Sequence, residues 1–115
     1  MANKFRGETE VEIGGVKYLL RASFEGLLEM EDKAGCGIME MVDSVSRGRI
    51  TSKQAIAIIY GGIIGGGVKI DFNELGEACV QEGMLRCSAK AAIFLGQIVK
   101  ARQKKTQDES SQDQK

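Results

Sequence analysis

Apolar and polar residues alternate on both sides of a glycine pair in GETEVEIGGVKYLLR, residues 7–21. Side chains of a strand point to opposite faces in turn, so this pattern predicts two half-buried strands. Gly14-Gly15 supplies the positive φ that a tight two-residue hairpin turn requires. Such a turn sets Ile13 opposite Val16, Val11 opposite Tyr18 and Thr9 opposite Leu20 on one face. Glu12 then faces Lys17 and Glu8 faces Arg21 on the other, so apolar and charged pairs both match across the strands. Leu19, opposite Glu10, alone interrupts the polar face.

Downstream the apolar period changes from two to that of a helix. Ser23 is placed to cap a helix with Phe24, Leu27 and Leu28 inward and Glu25, Glu29 and Asp32 outward, ended by Gly35 and Gly37. Ile38, Met41, Val42 and Val45 make a second, short helix that stops near Gly48. TSKQ at Thr51–Gln54 has the form of a capping box and opens the apolar run AIAII; DFNE at Asp71–Glu74 is a second box, with Phe72, Leu75 and Cys79 inward. Ser88 is expected to cap a last helix whose stripe is Ala91, Phe94, Leu95 and Ile98. From Arg102 to the end there is no apolar residue, so that segment cannot offset its ordering entropy by burial. The predicted fold class is therefore α+β, mostly α: an N-terminal two-stranded antiparallel β-hairpin followed by about five helices in one small helical domain. The expected domain layout is a flexible N-terminus over 1–6, a single domain over 7–101 and a disordered polar tail over 102–115.

Composition narrows the chemistry. Sixteen basic and sixteen acidic residues cancel, which gives no electrostatic drive toward nucleic acid or membrane and lowers the barrier to self-association. No histidine is present, so the commonest general base and transition-metal ligand is missing. Cys36, Cys79 and Cys87 form no CxxC pair and read as small buried residues of a reduced protein. MANKFRGETE lacks an apolar signal core and no apolar run is long enough to cross a bilayer, so a cytoplasmic location is expected.

Each candidate motif fails on spacing. In YGGIIGGG, Tyr60–Gly67, no register of the glycines matches GxGxxG, and Val68 stands where a P-loop needs lysine. The run also follows a helix rather than preceding one, so it reads as close helix packing and a helix exit. Glu29, Glu31 and Asp32 read as a solvated helix face, and DFNELGEACVQE lacks the DxDxDG spacing of a calcium loop. No serine sits in GxSxG, no histidine is available as a base to activate Cys36 or Cys87, no recognition helix with clustered basic residues appears, and no catalytic, metal or cofactor site is expected. Met30, Met39, Met41 and Met84 read equally well as core filling or as an adaptable apolar surface.

The order of these features resembles a known family. RGE at Arg6–Glu8, the hairpin GGVKYLLR, the helix SFEGLLEMED with its GCGI exit, and the YGGIIGGG ending together are similar to small proteins of gene transfer agents and long-tailed prophages. These are classed as tail assembly chaperones and sometimes labelled tail tube proteins. The resemblance covers residues 3 to 67 best. It implies a cytoplasmic factor of the bacterial host that binds the tape measure protein, helps recruit tail tube subunits and needs no cofactor. It also implies an alternative, a structural tube or minor tail subunit, and relatives are often made in a longer form by frameshifting near the C-terminus. A tube subunit is expected to be dominated by ring-closing strands. A small helical DNA-binding regulator is the outside alternative. The family offers no residue-level binding motif, so the expected partner-binding surface, Leu19 with Met39 and Met41, rests on exposure logic alone.

Overall fold

A computed structural model describes residues 8–113, with side chains over 8–100. The chain forms β1 (Glu8–Ile13), β2 (Val16–Arg21), α1 (Phe24–Ala34), α2 (Ile38–Ser46), α3 (Ser52–Gly65), α4 (Phe72–Glu82) and α5 (Met84–Asp113). The expected hairpin followed by five helices is therefore the observed architecture. The segment expected to be flexible, 1–6, lies outside the described residues. The polar segment from Arg102 continues α5 as backbone through Asp113, while residues 114–115 lie outside the described residues.

The hairpin register is the one read from the alternation, from Glu8 opposite Arg21 to Ile13 opposite Val16. Gly14 and Gly15 sit at φ 60° and 78°, the two left-handed positions of a type I′ turn. Val11, Ile13 and Leu20 are buried, and Glu8 on the other face is covered and lies 3.9 Å from Arg21. A two-residue turn makes the inward-facing pairs exchange their hydrogen bonds. The carbonyls of Glu12, Leu19 and Arg21 therefore point out of the sheet edges.

α3 is the central element and packs against α1, α5, β2 and α4. Its capping box is complete: the Gln54 N–H donates to Thr51 Oγ1 at 3.1 Å, and the Thr51 N–H donates to Gln54 Oε1 at 3.0 Å. Ala55 to Ile59 and Gly61 to Ile63 are buried on every side. A helix that is apolar all round belongs in a core, and each of its buried isoleucines, Ile56, Ile58, Ile59 and Ile63, contributes about 1.5–3 kcal/mol by leaving water.

Two helices differ from the sequence reading. On α1 the inner line is Gly26, Met30 and Ala34 with Leu27 half-buried beside it, whereas Phe24 and Leu28 face solvent. The cause is the approach of α1 to α3: Gly26 and Gly61 meet backbone to backbone. That contact turns the α1 line through Gly26 inward and rolls the larger apolar residues out. The last helix begins at Met84, not at Ser88. Gly83, at φ 117°, is the single residue between α4 and α5, and the Cys87 N–H already donates to its carbonyl at 3.1 Å. The expected inner stripe of α5 holds, with Ala91, Phe94 and Leu95 buried and Ile98 packed against them.

Candidate interaction surfaces

The glycine run sets the shape on which any surface is displayed. A methyl group on Gly61 would lie 2.4 Å from the Gly26 carbonyl oxygen and 2.2 Å from Met30 Cγ. One on Gly62 would meet Phe94 at 2.7 Å and Leu20 at 2.9 Å. Gly65 and Gly66 lie against the outward carbonyls of Arg21 and Leu19, where a methyl group would come within 2.0 and 2.3 Å. The end of α3 thus covers the free edge of β2, which otherwise would template strand pairing. Gly67, at φ 92°, then releases the chain toward α4. YGGIIGGG is a packing device and helix exit, as its spacing indicated.

Three further contacts fix the helices. Lys33 Nζ lies 5.7 Å from the Tyr60 ring centre and 5.6 Å from that of Phe72, and the rings meet edge to face at 5.4 Å. This cation–π cluster joins α1, α3 and the start of α4. Glu31, expected on a solvated face, instead accepts the Ile38 N–H at 3.0 Å and so caps α2, whose Gly37 has no side chain to do so. Glu82 accepts the Gly14 N–H at 3.1 Å and stands 3.7 and 3.8 Å from Arg86 and Lys90. Lys90 Nζ in turn donates to the outward Glu12 carbonyl at 2.5 Å.

The Glu82 carboxyl is held below the ordinary glutamate range, first by the Gly14 N–H and then by Lys90 and Arg86. A depressed carboxyl stabilises the fold above its unfolded pKa and loses that contribution as pH falls through its folded pKa. The melting-temperature gap between wild type and Glu82→Gln should therefore be widest near neutral pH. It should close as the pH falls below about 4.3, the ordinary glutamate value. Thermal melts across that range check the direction.

Two of the cysteines are core residues as expected, and one is not. Cys79 and Cys87 are fully buried, and burial, reinforced by Cys87, pushes the Cys79 thiol up to about 12. Cys36 is only partly covered, with Gln54 Nε2 3.6 Å from its sulfur. A thiol reagent at pH 8 should label one cysteine rapidly in the native protein and the other two only on unfolding. Peptide mapping should place the fast label on Cys36.

The three residues expected to bind a partner are not brought together as one surface. Met39 is 71% exposed on α2, Met41 is 0% exposed in the core, and Leu19 is half-buried on β2. Met39 and Met41 are two positions apart on one helix, which turns them to different sides.

Further apolar side chains reach solvent on α1 and α5. On α1, Phe24 is 77% and Leu28 50% exposed, one helical turn apart, flanked by Glu25, Glu29 and Asp32. On α5, Leu85 is 87% and Ile93 58% exposed, in line with exposed Ala89 and flanked by Arg86 and Lys100. Sequence reading missed both: it assigned Phe24 and Leu28 to the core and began α5 after Leu85. Val80, Val68 and Val16 are also exposed. Among the described residues no group of three or more Cys, Asp or Glu is placed to hold a metal, and no helix is long and apolar enough to cross a membrane.

No curated protein and no solved structure matches this chain. A family described as phage tail tube protein, GTA-gp10, matches over residues 6–101, from just before β1 to just beyond Lys100. That span takes in the hairpin, the glycine-packed α3 and both exposed apolar faces. A hairpin and five helices thus come together in a chain that belongs to the phage tail tube protein, GTA-gp10, family.

Proposed function

We propose that this protein is a component of a phage-type tail that works by binding other tail proteins rather than by catalysis. The observation that carries this is the family match over residues 6–101. The family's description as a tail tube protein favours a structural role, in which the chain stays in the finished particle. The exposed apolar faces of α1 and α5 supply contact area of the kind that mixes apolar side chains with a charged rim.

A second reading, a tail assembly chaperone that binds the tape measure protein and leaves, draws on a different observation. The sheet over the described residues has two strands, and α3 covers the β2 edge. Ring closure by strand pairing has little sheet to work with here, so a tube built from this chain must close through helices. Mass spectrometry of purified tails separates the two readings. Many copies per particle support the structural role. Presence in the assembling cell, co-purification with the tape measure protein and absence from finished tails support the chaperone. Absence from both tails and tail intermediates removes the tail reading altogether.

A further inference from the structure

We infer that Cys79 and Cys87 form a guarded dithiol, which a small-molecule disulfide converts to an internal disulfide bond that pins α4 to α5 across Gly83. The two cysteines stand in the last turn of α4 and the first turn of α5, with Gly83 the single residue between the helices. The Gly83 N–H donates to the Cys79 carbonyl at 2.9 Å, and the Cys87 N–H donates to the Gly83 carbonyl at 3.1 Å, which makes the corner tight. That corner brings Cys87 Sγ to 3.6 Å from the same Cys79 carbonyl and turns the two thiols toward each other, both fully buried. Cys36 is held elsewhere, between α1 and α2 and against Gln54 of α3, so the pair closes within itself.

Burial is the guard. Exchange needs a thiolate with access to the oxidant, and neither cysteine has exposed surface. Burial, reinforced by Cys87, also holds Cys79 as the thiol, and the nearby charges of Lys90 and Glu82 act on it in opposite directions. Closure therefore waits for a local unfolding of the corner. That event is within reach, because the polar contacts that brace the corner from outside, Glu82 with Gly14, Arg86 and Lys90, are exposed or screened by solvent. Once the corner opens, one cysteine thiolate attacks a sulfur of oxidised glutathione, whose S–S bond breaks as one glutathione leaves. The other cysteine thiolate then attacks the mixed disulfide, and the second glutathione leaves. The two cysteines give up two electrons and two protons, and one glutathione disulfide becomes two glutathione thiols. The new bond restricts the unfolded chain, while the folded corner already holds the two sulfurs together. The reduced chain can open this corner and the oxidised chain cannot. The inference goes beyond the tail reading and does not depend on it.

Equilibration of the full-length chain with mixtures of reduced and oxidised glutathione tests it, read by acid quenching and mass mapping of the cysteine peptides. Wild type shows which cysteines pair, and Cys36→Ser, checked for folding by circular dichroism, gives the equilibrium free of the third thiol. In folding buffer the Cys79–Cys87 bond should form more slowly than in denaturing urea, because the folded chain must open first. At equilibrium the order should reverse. The effective concentration of the pair should be at least about tenfold higher in buffer than in urea, the equivalent of about 1.4 kcal/mol. The oxidised chain should then melt at a higher temperature than the reduced one. An effective concentration in buffer that falls short of this overturns the inference, since the fold would then not favour the bond. Closure in buffer as fast as in urea overturns it too, because the pair would then be unguarded. So does wild type that links Cys36 to either partner, or that stops at a mixed disulfide with glutathione. Copy number in purified tails bears only on the tail reading and leaves this result unchanged.

Discussion

Replacing Gly61 by alanine is expected to lower the melting temperature by about 10 °C, although alanine is the better helix former. Propensity alone favours the substitution by about 1 kcal/mol. Against it stands a methyl group 2.4 Å from the Gly26 carbonyl and 2.2 Å from Met30 Cγ. The methionine can shift, but the carbonyl belongs to the backbone of α1, so the helices must separate. Overpacking of this kind costs about 3 kcal/mol, and the net is a loss of about 2 kcal/mol. Gly26→Ala should behave alike, because its methyl group would lie 2.3 Å from the Gly61 carbonyl. Gly96→Ala supplies the opposite sign: its site on α5 is exposed with nothing within 4 Å, so it should stabilise by up to about 1 kcal/mol. Thermal melts of the three variants read both directions. If all three shift the same way, the close contact of α1 and α3 is not what limits stability.

Met41→Ala should cost about 2–5 kcal/mol, while Met39→Ala should stay within about 0.5 kcal/mol. Met41 has no exposed surface and belongs to the core cluster, whereas Met39 stands in solvent on the same helix. The first figure is a large part of the roughly 5–15 kcal/mol that holds a domain of this size. Denaturant titration with both variants measures the contrast. A small effect at Met41 would mean that α2 is loosely held, and Met41 could then join Met39 as contact surface.

These predictions also mark how far residue patterns carried. The hairpin was legible to the register, because a two-residue turn and a period of two leave no freedom once Gly14-Gly15 is placed. Helix starts were legible where a side chain caps them, at Ser23, Thr51 and Asp71. The start of α5 was not, because Gly83 breaks the chain by backbone conformation while Ser88 imitates a cap within the helix. The candidate surfaces were the least legible. A helix with apolar residues on more than one side, such as α1, carries no mark of which side is inner. Hydrophobicity favours Phe24, Leu27 and Leu28, whereas the contact of Gly26 with Gly61 favours the line through Met30 and Ala34.

By itself the sequence determined the strand register, the number and type of the elements, the failure of YGGIIGGG as a phosphate loop, and the family likeness to small tail proteins. Each depends on neighbours in the chain: turn chemistry, periodicity, caps and motif spacing. Only the tertiary structure decided that Phe24, Leu28, Leu85 and Ile93 face outward, that Met41 does not, and that Glu31 and Glu82 are joints between elements. Those outcomes depend on how closely two backbones approach, and a glycine records that approach only when its opposite number, here Gly26 against Gly61, is known.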